Sequence, residues 1–440
     1  MHIAVRVLLA IAPMVLCLSC APRNGATPAT AEEEGKDQST NQEKLARLRA
    51  WEATSLQRFD LELPDGILVG EVEAAAPPRV ECHDNAGIHI CSIALRLEAD
   101  DDDDHIIECA ATWGPPIPFG FSTDLVMRKL RLEELPRFEA DWRDGSQPAL
   151  VTTFSANGRH ETDEATIVGT VKTAARYVPG HTLFCAETSS GGEETFARVV
   201  DGLFRTVQVK NLGSGLLIQN VTRERRGDTT SGFRFDYVVE TDDGYAELST
   251  RFHLITTDKG WDARDSTKTV ARDRTGGVVS LRQVHSGDAK VLGVLTAKAA
   301  ESGKLRLKFE HHGKSDAIEL TPQAALSTEV WESPALLRVS KGRMPKHKYA
   351  FLAVAEDGDP TLGYSKFTRL NDGLVQEEVE FPGARRQAAR SEKNELTIDP
   401  QGFVSKQVSS DSVEERLHHS GNMPKIGATR RPNSKVATLP

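Results

Sequence analysis

Between Gly232 and Leu254 apolar and polar residues alternate with a period of two, and this pattern restricts the chain to extended structure more than any other feature. Phe233, Phe235, Tyr237 and Val239 share one side of an extended strand. Thr-Asp-Asp-Gly at 241–244 supplies a turn, and Ala246, Leu248, Phe252 and Leu254 return along a second strand. The pair predicts a hairpin. Similar runs recur at 277–284, 291–296, 305–309, 317–320, 349–354, 374–381, 395–398 and 403–408, with one helical interruption near Pro334–Val339. Many short strands separated by turns predict a meandering antiparallel sheet.

The first half mixes two periods. Ile88–Leu97, His105–Trp113, Ala149–Phe154, Thr166–Val178 and His181–Glu187 are β-like in composition. Asp-Asn-Ala-Gly at 84–87, Ala-Asn-Gly at 156–158 and Pro-Gly at 179–180 read as the turns between them. Ser190 followed by Glu193 forms a capping box, after which Phe196, Val199, Val200, Leu203 and Val207 make one apolar stripe at helical spacing. A weaker helical stretch falls between Thr123 and Leu135. Another is expected over Lys44–Gln57, where Leu45, Leu48, Trp51 and Leu56 are close to helical spacing. The expected fold class is α+β: an antiparallel-sheet sandwich with a closing helix, then a mostly β, meandering open half-barrel.

The N-terminus sets the location. A short positive start with Arg6 precedes an apolar run from Val7 to Leu18, too short and too interrupted by Pro13 to remain as a spanning helix, which needs roughly 20 apolar residues. Leu18-Ser19-Cys20 then resembles the end of a bacterial lipobox, with Cys17 standing where that family has Leu. The resemblance implies a lipoprotein signal peptide over 1–19 and acylation of the Cys20 thiol. The alternative is an ordinary secretory signal cut near Ala21. Ala21 after the anchor resembles an outer-membrane destination in a Gram-negative bacterium, periplasmic or surface-exposed. The membrane partner is then reached through the lipid alone, and two or three acyl chains hold far more firmly than one.

About 420 residues remain after the leader, more than one hydrophobic core usually serves. The expected divisions are a tether over 20–42 with almost no large apolar side chain, an α+β sandwich domain over 43–210, a β-rich half-barrel-like domain over 211–420 with Gly213-Ser214-Gly215 at the joint, and a disordered tail over 421–440. A net charge of −10 lacks the basic face that nucleic acid requires, so no nucleic-acid partner is expected.

Four further cysteines, Cys82, Cys91, Cys109 and Cys185, all lie in the first domain. An even number in an exported chain is the signature of two disulfides. Four cysteines allow three pairings. Cys82 and Cys91 flank a hairpin whose turn lies near Ala86-Gly87, which favours joining them and leaves Cys109 for Cys185. A zinc site over Cys82–Cys91, with His83 and His89, is set aside because the spacing is not a knuckle spacing and alternation puts His83 opposite Cys82. Asp100–Asp104 lacks the spacing of a calcium loop and reads as a solvated turn. No metal or other cofactor is expected.

The strand bearing Leu183-Phe184-Cys185 and the segment Glu194–Phe204 are similar to the closing strand and helix of the PsbP/Mog1-like sandwich, a family mainly of binding and assembly modules. The second half, from Gly232-Phe-Arg-Phe through Leu396–Val404 to Glu414-Glu-Arg-Leu, resembles the open β half-barrels of envelope lipoproteins and lipoprotein carriers. It also resembles the β-rich region beside transglutaminase-like domains. The carrier resemblance implies a concave apolar face for an acyl chain or other apolar ligand, or the same face filled by a covering helix.

The sequence contains no Gly-x-Ser-x-Gly elbow, His-Glu-x-x-His, phosphate loop or dinucleotide fingerprint, and no catalytic residue is assigned. His311-His312 and His418-His419 sit beside turn-like residues and read as exposed. The expected function is non-enzymatic: a lipid-anchored extracytoplasmic module that binds an apolar ligand or an envelope protein. The alternative is an exported hydrolase with its site between the two domains.

Overall fold

The computed structural model describes residues 57–62, 67–74, 77–85, 88–97, 105–113, 131–132, 136–144, 147–161, 166–189, 193–209, 215–257, 260–287, 290–299, 304–311, 314–354, 360–382 and 390–424. The chain forms two compact units. One runs to Leu212 and takes in Asp258–Trp261, and the other comprises Gly213–Thr257 and Asp262–Pro440.

In the first unit, the strands in chain order are β1 (Gln57–Glu62), β2 (Ile67–Ala74), β3 (Arg79–Asn85), β4 (Ile88–Leu97), β5 (His105–Trp113), β6 (Arg131–Leu132), β7 (Arg137–Arg143), β8 (Ala149–Glu161), β9 (Thr166–Val178) and β10 (His181–Ser189). Helix α1 (Glu193–Thr206) and β11 (Val207–Val209) follow. The order β3-β4-β5-β10-β9-β8-β6, with β7 also on β8, makes an eight-stranded sheet, and β1-β2-β11 a three-stranded one. Every named strand pair is antiparallel.

Alternation explains the core. Cys91, Ile93 and Leu95 of β4 and Ile107, Cys109 and Ala111 of β5 bury on one face. The α1 stripe of Phe196, Val199, Val200 and Leu203 packs into the same cluster. Each buried Ile, Leu, Val or Phe among them contributes about 1.5–3 kcal/mol. Disulfides Cys82–Cys91 and Cys109–Cys185 join directly cross-strand residues, the first across the β3–β4 hairpin and the second across β5–β10. This is the pairing that the hairpin reading favoured. Such bridges belong to an oxidising, extracytoplasmic compartment.

Three details differ from the sequence reading. Ala156-Asn157-Gly158 is not a turn: β8 runs straight through it, with Asn157 opposite Thr170 and Gly158 opposite Gly169. The hydroxyl of Thr170 donates to Asn157 Oδ1 at 2.7 Å, which satisfies a residue otherwise favoured in turns. Val207 leaves the helical stripe to open β11. Arg131–Leu132, within the weaker helical stretch, is a strand, and the rest of that stretch lies outside the described residues.

The second unit contains β12 (Leu216–Arg226), β13 (Thr229–Thr241), β14 (Gly244–Thr257), β15 (Gly260–Asp273), β16 (Val278–Gly287), β17 (Lys290–Ala299), β18 (Leu305–His311) and β19 (Lys314–Leu320). Helix α2 (Ser333–Ser340) precedes β20 (Lys346–Val354), β21 (Pro360–Asn371), β22 (Leu374–Phe381), β23 (Arg390–Ile398), β24 (Val404–Val408) and β25 (Val413–Gly421). They form one fourteen-stranded sheet, β19 to β12 in descending order and then β25 to β20, with β19 and β20 as its two edges. The sheet is open. Its two edge strands follow one another in sequence through the connection that carries α2, while β12 and β25 close the middle by pairing the start of the unit with its end.

Both units are therefore predominantly antiparallel β, with two helices among the described residues. Neither helix is long and apolar enough to cross a bilayer. The first residues of the expected 421–440 tail belong to the second unit, and those after 424 lie outside the described residues. Gly421 pairs with Ile218, and Met423 packs against the cluster of Ile218, Val238, Val330, Trp331 and Phe403. Of the expected 44–57 helix, Gln57 opens β1, and the remainder, like Asp100–Asp104, lies outside the described residues.

Candidate functional site

On β13 the sequence Phe233-Arg-Phe-Asp-Tyr237 sends its aromatic rings to one face, where they are 0–3 % exposed. Alternation therefore sends Arg234 and Asp236 to the other. Across the ladder Arg234 faces Thr222 of β12 and Arg251 of β14, while Lys268 of β15 faces Gln283 of β16 and Ser266 faces His285. This charged face lines a groove of about 1100 Å³, with walls from β12–β16 on one arm of the sheet and β20–β25 on the other.

The groove corrects the expectation of an apolar concave face. Among the described residues, six cations (Arg226, Arg234, Arg251, Arg264, Lys268, Lys393) and seven carboxylates (Glu224, Asp265, Glu329, Glu377, Glu392, Asp411, Glu414) contribute to its lining. The apolar part of the interior is filled by the unit itself. Leu336 and Val339 of α2 pack on Tyr349, Phe367, Val375, Leu396, Ile398 and Val404, and Val330 and Trp331 cover Ile218 and Val238.

Several of the buried charges here are matched by a partner of opposite sign. Arg234 forms a fork on Glu329, at 2.9 and 3.0 Å, and its Nε lies 2.9 Å from Asp236. Burial would lower the Arg234 pKa, but the Glu329, Asp236 and Glu414 carboxylates raise it well above the usual value. Arg251 bridges Glu414 and Glu224. Arg272 donates to Glu247 at 3.2 Å and to the Thr328 hydroxyl at 3.0 Å, and stacks 4.5 Å from the centre of the Trp331 ring. Glu377 accepts from Ser365 at 2.7 Å and Asn394 at 2.9 Å, yet burial raises its pKa.

One pair depends on a glycine. Glu224 and His253 lie on β12 and β14, and the residue between them in register is Gly232 of β13. With no side chain in the way, His253 Nδ1 reaches Glu224 Oε2 at 2.5 Å. A Cβ at Gly232 would lie 2.3 Å from the Phe252 carbonyl oxygen. Burial opposes ionisation of Glu224, but the bond and charge of His253 together with Arg251 and Arg226 outweigh it and hold the pKa at about 2. Burial and the Arg251 charge lower the His253 pKa, although the contact with Glu224 opposes the shift.

The other side of the groove is less complete. Lys268 makes no hydrogen bond or ion pair among the described residues, and burial lowers its pKa although Glu247 and Asp236 oppose the shift. Beside it Gln283 Oε1 and His285 Nε2 are buried without a hydrogen-bond partner among the described residues. Burial and Lys268 bring the His285 pKa down to about 4. Three polar side chains on two neighbouring strands thus present unused hydrogen-bonding capacity to one groove, and such capacity is costly unless something fills it.

The residues singled out by sequence are placed as follows. Cys82, Cys91, Cys109 and Cys185 are structural, remote in sequence from the groove, and Cys20 lies outside the described residues. His418-His419 is not a solvated turn pair: it lies in β25, and the His419 ring lies tilted against Phe403, with ring centres 4.0 Å apart. Among the described residues no three His, Cys, Asp or Glu side chains cluster to hold a metal ion. Sequence reading missed Arg234, Lys268, Gln283 and His285. Their signal was a polar residue at every second position of adjacent strands.

Fold and site define a β-rich extracytoplasmic chain with a polar groove inside an open sheet. No family model matches it, and no curated protein matches it. Among solved structures it is similar to the crystal structure of a β-barrel-like protein of domain of unknown function DUF1849 from Brucella abortus. The likeness has 13 % identity and a TM-score of 0.32, and covers 46 % of this chain and 93 % of that one.

Proposed function

We propose that this chain is a non-enzymatic binding module of the bacterial cell envelope. It comprises an α+β sandwich followed by an open half-barrel, tethered to the outer membrane through acylated Cys20, and holds a hydrophilic ligand in the groove of the second unit. The observation that carries the reading is the set of unused polar atoms on Lys268, Gln283 and His285 inside that groove. Near-balance of cations and carboxylates fits a neutral, hydroxyl-rich ligand such as a saccharide, whose hydroxyls donate to one wall and accept from the other. Tyr349, Phe351 and Phe381 add an aromatic flank. An acyl chain would leave those polar groups desolvated and unpaired, which disfavours it.

The test uses the purified mature chain with Cys20→Ser, titrated with soluble cell-wall saccharides and followed by thermal shift. A saccharide that stabilises the protein, and stabilises Gln283→Leu about tenfold more weakly in affinity, supports the reading. Stoichiometric acyl chains recovered from the groove by mass spectrometry would overturn it. Labelled palmitate incorporated by wild type but not by Cys20→Ser tests the tether, and equal labelling of both sinks that part alone.

A further inference from the structure

Lys268 of β15 and Gln283 of β16 are directly opposite one another in the ladder, so their side chains leave the sheet together, about 5 Å apart at the backbone. Lys268 Nζ donates in either protonation state, and it makes no hydrogen bond or ion pair among the described residues. Gln283 is only 9 % exposed, and its Oε1 has no donor among the described residues. The pair therefore offers a free donor and a free acceptor side by side. Two residues along β16, His285 Nε2 is a third unused atom.

What lies beside the pair narrows the chemistry further. Alternation places Val270 and Leu281, also directly opposite one another, on the same face two residues along. They belong to an apolar cluster with Leu295, the cross-strand neighbour of Gln283 on β17, and with Leu352 of β20. Leu352 also lines the groove. The free donor and acceptor thus stand where the polar floor of the groove meets an apolar edge. A hydroxyl satisfies either atom but sets nothing apolar against Leu352. A secondary amide with a short acyl group meets all three demands, because its carbonyl accepts, its N–H donates and its methyl covers apolar surface.

We propose that the groove selects saccharides that carry an N-acetylamino group, whose carbonyl oxygen accepts from Lys268 Nζ and whose N–H donates to Gln283 Oε1. The acetyl methyl rests against Leu352, and His285 Nε2 takes a ring hydroxyl. The inference rests on the saccharide reading of this groove and specifies the sugar. An acetamido group is uncharged, in keeping with the neutral ligand of that reading.

The full mature chain with Cys20→Ser is titrated by calorimetry with the tetramer of N-acetylglucosamine and with cellotetraose, which has a hydroxyl in place of each acetamido group. Three variants are compared: Lys268→Met, Gln283→Leu, and Arg282→Gln, an exposed position on the other face of β16. Wild type and Arg282→Gln are expected to bind the acetylated tetramer about tenfold or more tightly than cellotetraose, since two hydrogen bonds and a buried methyl separate the two ligands. Lys268→Met and Gln283→Leu should each bring the two affinities within about threefold, by weakening the acetylated tetramer. Lys268→Met removes a cation that has no ion-pair partner, so a thermal midpoint at or above that of wild type is expected and separates lost contacts from lost folding. Equal affinity of wild type for the two tetramers, or a preference retained in both Lys268→Met and Gln283→Leu, overturns this inference and leaves the saccharide reading standing. Binding of neither tetramer also overturns it, and takes the saccharide reading with it only if cell-wall saccharides give no thermal shift either.

Discussion

The two units stabilise their interiors in opposite ways. The first sets an amphipathic helix on an apolar sheet face and fixes that face with two covalent bridges. The second has no cysteine and carries a web of charges on the inner face of its sheet, with Phe233, Phe235, Tyr237 and Phe252 on the other. The difference teaches that one period-two pattern can serve two designs. In the first the apolar side of the strands meets the helix, and in the second the polar side encloses the groove.

Four experiments bear on that contrast. The largest effect is expected from removing Cys109–Cys185 as a serine pair. Its sequence separation of 76, against 9 for Cys82–Cys91, implies a loop-closure loss of about 4–5 kcal/mol compared with about 2.5–3 kcal/mol for the shorter bridge. Chemical denaturation of the two double variants measures the ranking, and equal losses would break the argument from loop length. Next comes Arg234→Met. It leaves Glu329 and Asp236 without their shared partner, and a loss of about 3–5 kcal/mol is expected in the transition of the second unit. A loss below about 1 kcal/mol would show the web to be ornamental.

Acid should separate the units more gently. His285 is unprotonated in the fold down to about pH 4 but titrates at 6.5 when unfolded, so the unfolded state binds the extra proton between those values. Stability from this group is complete above 6.5 and lost as pH falls to 4, by at most about 1.4 kcal/mol per pH unit. Glu224 acts in the same direction lower down, between its ordinary 4.5 and about 2. Midpoints of His285→Gln measured from pH 7 to 4 should fall less steeply than wild type, and parallel curves would remove His285 from the account. The smallest effect is expected from Lys172→Met with Glu187→Gln. Loss of both partners of the fully buried pair should cost no more than about 1 kcal/mol, while Lys172→Met alone costs about 3–5 kcal/mol.

Much of the first unit was legible because its signals are local. The bounds of β4, β5 and β9 match runs of β-branched and apolar residues between turn residues, and the 196–203 stripe is a helix wherever it is placed. Four strands of the second unit, β12, β15, β21 and β25, escaped notice. Lys268, Arg272, Glu224, Glu414 and Ser365 stand where the alternation rule expects an apolar residue, so the rule sees no buried face.

The sequence by itself determined that this chain is mostly antiparallel β-structure, that its cysteines sit where cross-strand bridges form, and where a helix closes the first unit. These follow from periodicity and short-range spacing, which depend on neighbours a few residues away. Only the tertiary structure decided that the inner face of the second sheet is polar, that Gly232 lets Glu224 and His253 meet, and that Lys268, Gln283 and His285 are left with unused polar atoms. Those facts depend on which strands lie side by side: β12 meets β25 across nearly the whole unit, and no local pattern encodes a partner so distant in the chain.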